Sequence, residues 1–201
     1  MGISVFHEDI KRELYRASVN GNLKEMKSIL SSGMANVNCI CGPKDATPLC
    51  CASWKGHKDI VEFLLDEGAE TNKADEKGVT PLSIAGVRGY KDVVQLLLDR
   101  GADPNQAMRN GVTPLHNASS YGHKDVVQLL LDRGADLNQA GVGGWTPLHN
   151  ASSEGHKDVV QLLLGRGADL NIVDVNGHTP LDVALNRGHT EIVDILQGGG
   201  A

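Results

Sequence analysis

The apolar residues of this chain gather in short clusters, separated by glycines and polar turns. In HKDVVQLLLGRG, Val159, Val160, Leu162, Leu163 and Leu164 spread over far more than a narrow stripe. The spacing predicts a helix that is covered on several sides and stops at Gly167. A shorter helix is predicted just before it. Thr146 is placed to cap it, Pro147 to hold its first position, and Gly155 to end it after about Glu154. The stretch that follows, ADLNIVDVNGHT, is polar, and Asn176-Gly177 predicts a tight turn. One such helix pair cannot bury its own apolar surface and needs copies of itself above and below.

Those copies are in the sequence. Thr-Pro-Leu recurs at Thr47, Thr80, Thr113, Thr146 and Thr179, always 33 residues apart. Gly56, Gly89, Gly122, Gly155 and Gly188 keep step after the first helix, and Gly68, Gly101, Gly134 and Gly167 after the second. A divergent copy occupies residues 14–33. The frame predicts one domain over 1–201: a capping unit at 9–41, full units at 42–74, 75–107, 108–140 and 141–173, and a shortened unit at 174–201. Terminal units need a polar outer face. The first supplies Lys11, Arg12, Glu13, Lys24, Glu25 and Lys27; the last helix is thinner in charge and reads either as a modest cap or as a place where the array once continued.

TPLHNA at Thr113 and Thr146, relaxed to TPLCCA, TPLSIA and TPLDVA elsewhere, resembles the ankyrin repeat. So does the Gly-His mark at His57, His123, His156 and His189, which is Tyr90 in one unit. The resemblance covers about residues 9–196. It implies an all-α fold, an ankyrin-type α-solenoid of antiparallel helix pairs with hairpin-like loops and a concave binding face. It also implies that His116 and His149 are hydrogen-bonding struts beside the threonines of their motifs.

Composition narrows the function. At 40% hydrophobic and 22% charged the chain can bury a core, but aromatic residues are only 3%, so that core must be aliphatic. A net charge of −6 argues against DNA binding. No apolar run reaches the length of a membrane span, and charges from His7 to Arg12 interrupt the segment where a signal peptide would be apolar. A cytoplasmic, monomeric protein is expected. Cys39, Cys41, Cys50 and Cys51 read as reduced thiols; their C-x-C and C-C spacing does not suit zinc, and no cofactor motif is present.

The repeated Ser, His and Asp suggest a catalytic triad only superficially. His116 and His149 share one frame position, as do Ser119 and Ser152, whereas a catalytic site is one convergent place. No enzyme is expected. Asn72, Asn105, Asn138 and Asn171 recur in the loops between units. They read as loop locks or, from the resemblance, as candidates for β-hydroxylation.

Function should lie where the repeats differ. Residues 111–140 and 144–173 differ at five positions, and the largest chemical changes are Val112/Trp145 and Tyr121/Glu154. The resemblance places both on the binding face, among loop tips and first-helix ends. Across the units that face collects Trp54, Lys55, Lys77, Arg88, Arg109, Asn110, Tyr121, Trp145, Glu154, His178 and Arg187. Exposed aromatic and arginine side chains often dominate interfaces. The expected partner is therefore another protein, through a segment with acidic and apolar side chains. In the competing reading the tryptophans merely shield neighbouring loops. A structural spacer or fragment of a longer array, consensus-like or engineered, is the alternative function; near-identical residues 91–107 and 124–140 fit it, though recent duplication explains them equally. A nucleotide or RNA sensor stacking bases on these rings is disfavoured by the net charge.

Overall fold

The computed structural model of the protein describes residues 2–198, with side chains from residue 8 onward. Met1 and residues 199–201, which bound the expected domain, lie outside the described residues. Those described form helices and turns, with no strand among them. In chain order the helices are α1 (Gly2–Asn20), α2 (Leu23–Ser31), α3 (Pro48–Lys55), α4 (Lys58–Asp66), α5 (Pro81–Arg88) and α6 (Lys91–Asp99). They continue with α7 (Pro114–Ser120), α8 (Lys124–Asp132), α9 (Pro147–Glu154), α10 (Lys157–Gly165), α11 (Pro180–Arg187) and α12 (Thr190–Gly198).

The local signals act as the sequence suggests. The hydroxyls of Thr47, Thr113, Thr146 and Thr179 accept from the backbone N–H three residues on, and a proline opens each helix. Gly56, Gly155 and Gly188 end α3, α9 and α11 in the left-handed region at φ 76°, 81° and 76°. Gly122 needs to be glycine for a second reason. A Cβ there would come within 2.5 Å of the His156 ring, whose Nε2 reaches the Ser120 carbonyl at 2.9 Å.

The chain divides into two compact units: residues 1–85 with 92–103, and residues 86–91 with 104–201. In the first, α1 packs on α2 and α3, and α4 packs on α2 and α3. Leu14, Met26, Leu49, Ile60, Leu64 and Leu97 are fully buried. In the second, α9 lies between α7 and α11, α10 lies between α8 and α12, and the partners of each pair touch. Leu115, Leu130, Leu148, Leu163 and Ile192 fill that interior. Ala118, Ser119, Ala151 and Ser152 are also fully buried; their small size lets neighbouring first helices approach closely.

Candidate functional site

In the first unit, the loop before α3 and the end of α3 bring the predicted residues together. Trp54 is 38% exposed, and the Lys55 ammonium sits over its ring, 4.4 Å from the centroid. Trp54 and Lys77 line a cleft of about 350 Å³ together with Tyr15, Lys44, Val79 and Ile84. The loop carrying Lys77 is shaped by Asp75. One Asp75 carboxylate oxygen accepts from the Lys77 and Val79 N–H groups at 2.8 and 2.9 Å. A backbone bond from Glu76 N–H to the Lys44 carbonyl (3.2 Å) joins this loop to the preceding one.

That preceding loop contains a feature the sequence analysis passed over. Lys44 and Asp45 have φ 59° and 62°, and they are the non-glycine residues of positive φ among the described residues. At the frame position of Asp45 the later units carry Gly78, Gly111, Gly144 and Gly177, at φ 81°, 81°, 78° and 81°. The signal was present in the sequence as an aspartate where four units have glycine. Each L-residue held left-handed costs about 1–2 kcal/mol, and such strain concentrates at functional positions.

The second unit treats its predicted residues unequally. Tyr121, capping α7, is 58% exposed and stacks on His123 with ring centroids 6.3 Å apart. Arg88, Arg109 and Arg187 are exposed and make no ion pair among the described residues; Asn110 and Glu154 are exposed as well. Trp145, expected as an exposed anchor, is only partly exposed. Its indole N–H donates to Asp174 at 3.3 Å and its ring stacks on His149, centroids 6.1 Å apart. The reason is its place directly before the Thr146 cap, within reach of the next loop.

Asp174 is the residue that organises this corner, and the sequence analysis did not single it out. It is buried; Oδ1 accepts from the Asn176 and His178 N–H groups, and His178 Nδ1 lies 3.5 Å from Oδ2. These hydrogen bonds, led by the one from His178 N–H, hold its carboxyl down at about 2. The signal was DVNG, an acid two and four residues before the N–H groups it ties.

A family model described as ankyrin repeats (3 copies) matches residues 14–108, 72–141, 106–174 and 138–201. The chain belongs to the ankyrin-repeat family. Its fold class is therefore all-α of the ankyrin type, and ankyrin repeats generally serve as protein-protein interaction modules. No helix among the described residues is long and apolar enough to cross a membrane.

The ankyrin frame also accounts for the repeated His and Ser of the motif. His116 Nδ1 pairs with the Thr113 hydroxyl at 2.7 Å and Nε2 with the Trp145 carbonyl at 3.0 Å. His149 pairs in the same way with Thr146 (2.8 Å) and the His178 carbonyl (3.1 Å). Both rings are struts between ankyrin units, with no ring nitrogen left for Ser119 or Ser152, whose buried hydroxyls have no partner. Burial lowers the pKa of both histidines, so they stand neutral.

The loop asparagines lock one ankyrin unit to the next. Asn72 donates to the Gly101 carbonyl and accepts from Asp103 N–H at 3.2 and 2.9 Å; Asn105 does the same with Gly134 and Asp136 at 2.9 and 2.7 Å. Asn138 accepts from Asp169 N–H at 3.0 Å, and Asn171 is exposed. Asn38, missed because the first unit is out of step, makes the same pair of bonds to Gly68 and Glu70. All four cysteines are free thiols. Hydrogen bonding from Cys41 lowers Cys39 to about 7, and no group of three or more acidic, histidine or cysteine side chains among the described residues could hold a metal ion.

Proposed function

We propose that this ankyrin-repeat protein is a non-enzymatic, cytoplasmic adaptor that recognises a segment of another protein through its loop tips and first-helix ends. The segment carries apolar and acidic side chains. The observation that carries this reading is the display of exposed rings alongside cations: Trp54 with the half-buried Lys55 over its ring and the exposed Lys44 and Lys77 in its cleft, and Tyr121 in the unit that also displays Arg88 and Arg109. Exposed aromatic and arginine side chains are the usual anchors of binding. Trp145, which helps to hold its own loop, contributes support rather than contact.

Affinity capture tests the proposal, comparing wild type with Trp54→Ala/Arg88→Ala/Arg109→Ala/Tyr121→Ala, each first shown to be folded by circular dichroism. A specific partner that the variant loses is the expected result. A partner that the folded variant retains would move recognition to another surface, and the absence of any specific partner would favour a spacer role.

A further inference from the structure

The cleft beside Trp54 differs from the rest of the displayed surface. It is a concavity with an apolar lining, formed by Tyr15, Trp54, Val79, Ile84 and the buried Cys50 and Cys51. At about 350 Å³ it is at the small end of the range in which proteins hold organic groups. That size suits one large side chain better than a whole cofactor. Its polar lining is dominated by cations. Lys44 and Lys77 line it, whereas their acidic neighbours Asp45 and Glu76 do not. The single acidic lining residue, Asp75, already accepts from two backbone N–H groups.

The strained backbone marks this place independently. Lys44 is one of the two non-glycine residues with positive φ among the described residues, and it lines this cleft. The same 3₁₀ turn in the second unit, Val142–Gly144, uses glycine at both equivalent positions. The fold therefore accepts glycine in this turn. What glycine cannot supply is the ammonium that Lys44 brings to the cleft.

We propose that this cleft is the anchoring subsite of the protein-binding surface: it takes one large apolar side chain of an extended partner segment, and Lys44 and Lys77 hold a carboxylate beside it. This rests on the adaptor reading above. Burial of the apolar side chain against Trp54 supplies the attraction. The two lysines select a neighbouring aspartate or glutamate and give the contact its salt dependence.

A random nonapeptide library displayed against the immobilised full chain tests it, followed by calorimetric titration of the selected peptides. Selected sequences should converge on Phe, Trp, Leu or Met with Asp or Glu within two positions. Trp54→Ala should weaken their binding about 30-fold. Lys44→Gly/Lys77→Ala should weaken it about tenfold and flatten its dependence on salt, while Tyr121→Ala leaves it unchanged. Lys44→Gly relieves the strained turn, so its melting temperature should not fall and lost binding cannot be read as unfolding. Peptides that depend on Tyr121 or Arg109 but survive Trp54→Ala would overturn the cleft and leave the adaptor reading standing. Peptides lacking the apolar-acidic pattern would also overturn it. No enrichment at all would count against both.

Discussion

The two tryptophans of the chain stand in corresponding stretches of two repeats, and the structure uses them in opposite ways. Both stretches start from a glycine, make one 3₁₀ turn (Pro43–Asp45 and Val142–Gly144) and enter a Thr-Pro-Leu helix. Both turns hand a carbonyl to the next loop: Lys44 to Glu76 N–H at 3.2 Å, Gly143 to Val175 N–H at 3.0 Å. Trp54, at the far end of its helix, is exposed beside a cleft. Trp145, at the near end, is tied to Asp174 and stacked on His149. The turn with the exposed ring carries Lys44 and Asp45 under strain; the turn with the tied ring carries glycines without it. One scaffold thus leaves its ring exposed in the first case and makes it a structural joint in the second.

The strongest way to test that comparison is at the part the two stretches share. Leu49 and Leu148 occupy the same frame position and are 1% and 0% exposed. Leu49→Ala and Leu148→Ala should each lower stability by about 2–5 kcal/mol in denaturant titration. A large difference between them would mean that the two scaffolds are not equivalent. The rings come next. Trp145→Ala loses half-buried area and removes a hydrogen-bond donor from the buried Asp174 carboxylate, and should cost about 2 kcal/mol of stability. Trp54→Ala leaves no buried polar atom without a partner and should cost less, about 1 kcal/mol. If thermal melts give the reverse order, the roles assigned to the rings are exchanged.

The turns give a smaller, mirrored pair. Gly144→Ala forces a Cβ to within 3.2 Å of the Asp174 backbone at φ 78°, and should destabilise by about 1–2 kcal/mol. Asp45→Gly, at the matching position, should instead stabilise by about 0.5–1 kcal/mol, the relief of strain being partly offset by glycine's entropy. The smallest effect is acid sensitivity, which should gather in the second unit. The carboxyl of Asp174 lies at about 2 in the fold, below its ordinary 3.8, so its contribution is complete above about pH 4 and is lost as pH falls toward 2. His116 and His149 are lowered from 6.5; their neutral form is the folded one, so stability also begins to fall as pH drops below about 6.5. Asp174→Asn should flatten the lower part of a melting-temperature profile against pH, and His149→Gln the upper part. Profiles identical to wild type would mean that these groups do not couple to folding.

Most of the fold was legible because its instructions are local. A threonine three residues before the N–H it caps, a proline at the first helical position and a glycine at a left-handed stop each act within one turn of helix. Repeating them every 33 residues made the architecture plain. The struts were legible through the family resemblance, which sets His116 beside Thr113 in one motif; their second bonds, to carbonyls 29 residues on, were not. The candidate site was legible only in part. Trp54 and Lys77 were named for display, but the cleft they share is made with Tyr15 and Ile84, which lie in other helices and carry no mark of that role. Asn38 escaped because the first unit is out of register with the frame.

By itself, then, the sequence determined the helix pairs, their caps and stops, and the aliphatic core, because those depend on residues a few positions apart. Whether an amphipathic ring points to solvent or back onto the molecule was decided only by tertiary structure. That choice depends on what stands about 30 residues away: Asp174 captures the Trp145 indole, while Trp54 meets an open cleft and its own Lys55. The cost of holding Lys44 and Asp45 left-handed was likewise decided there, where the carbonyl of one loop must meet the N–H of the next.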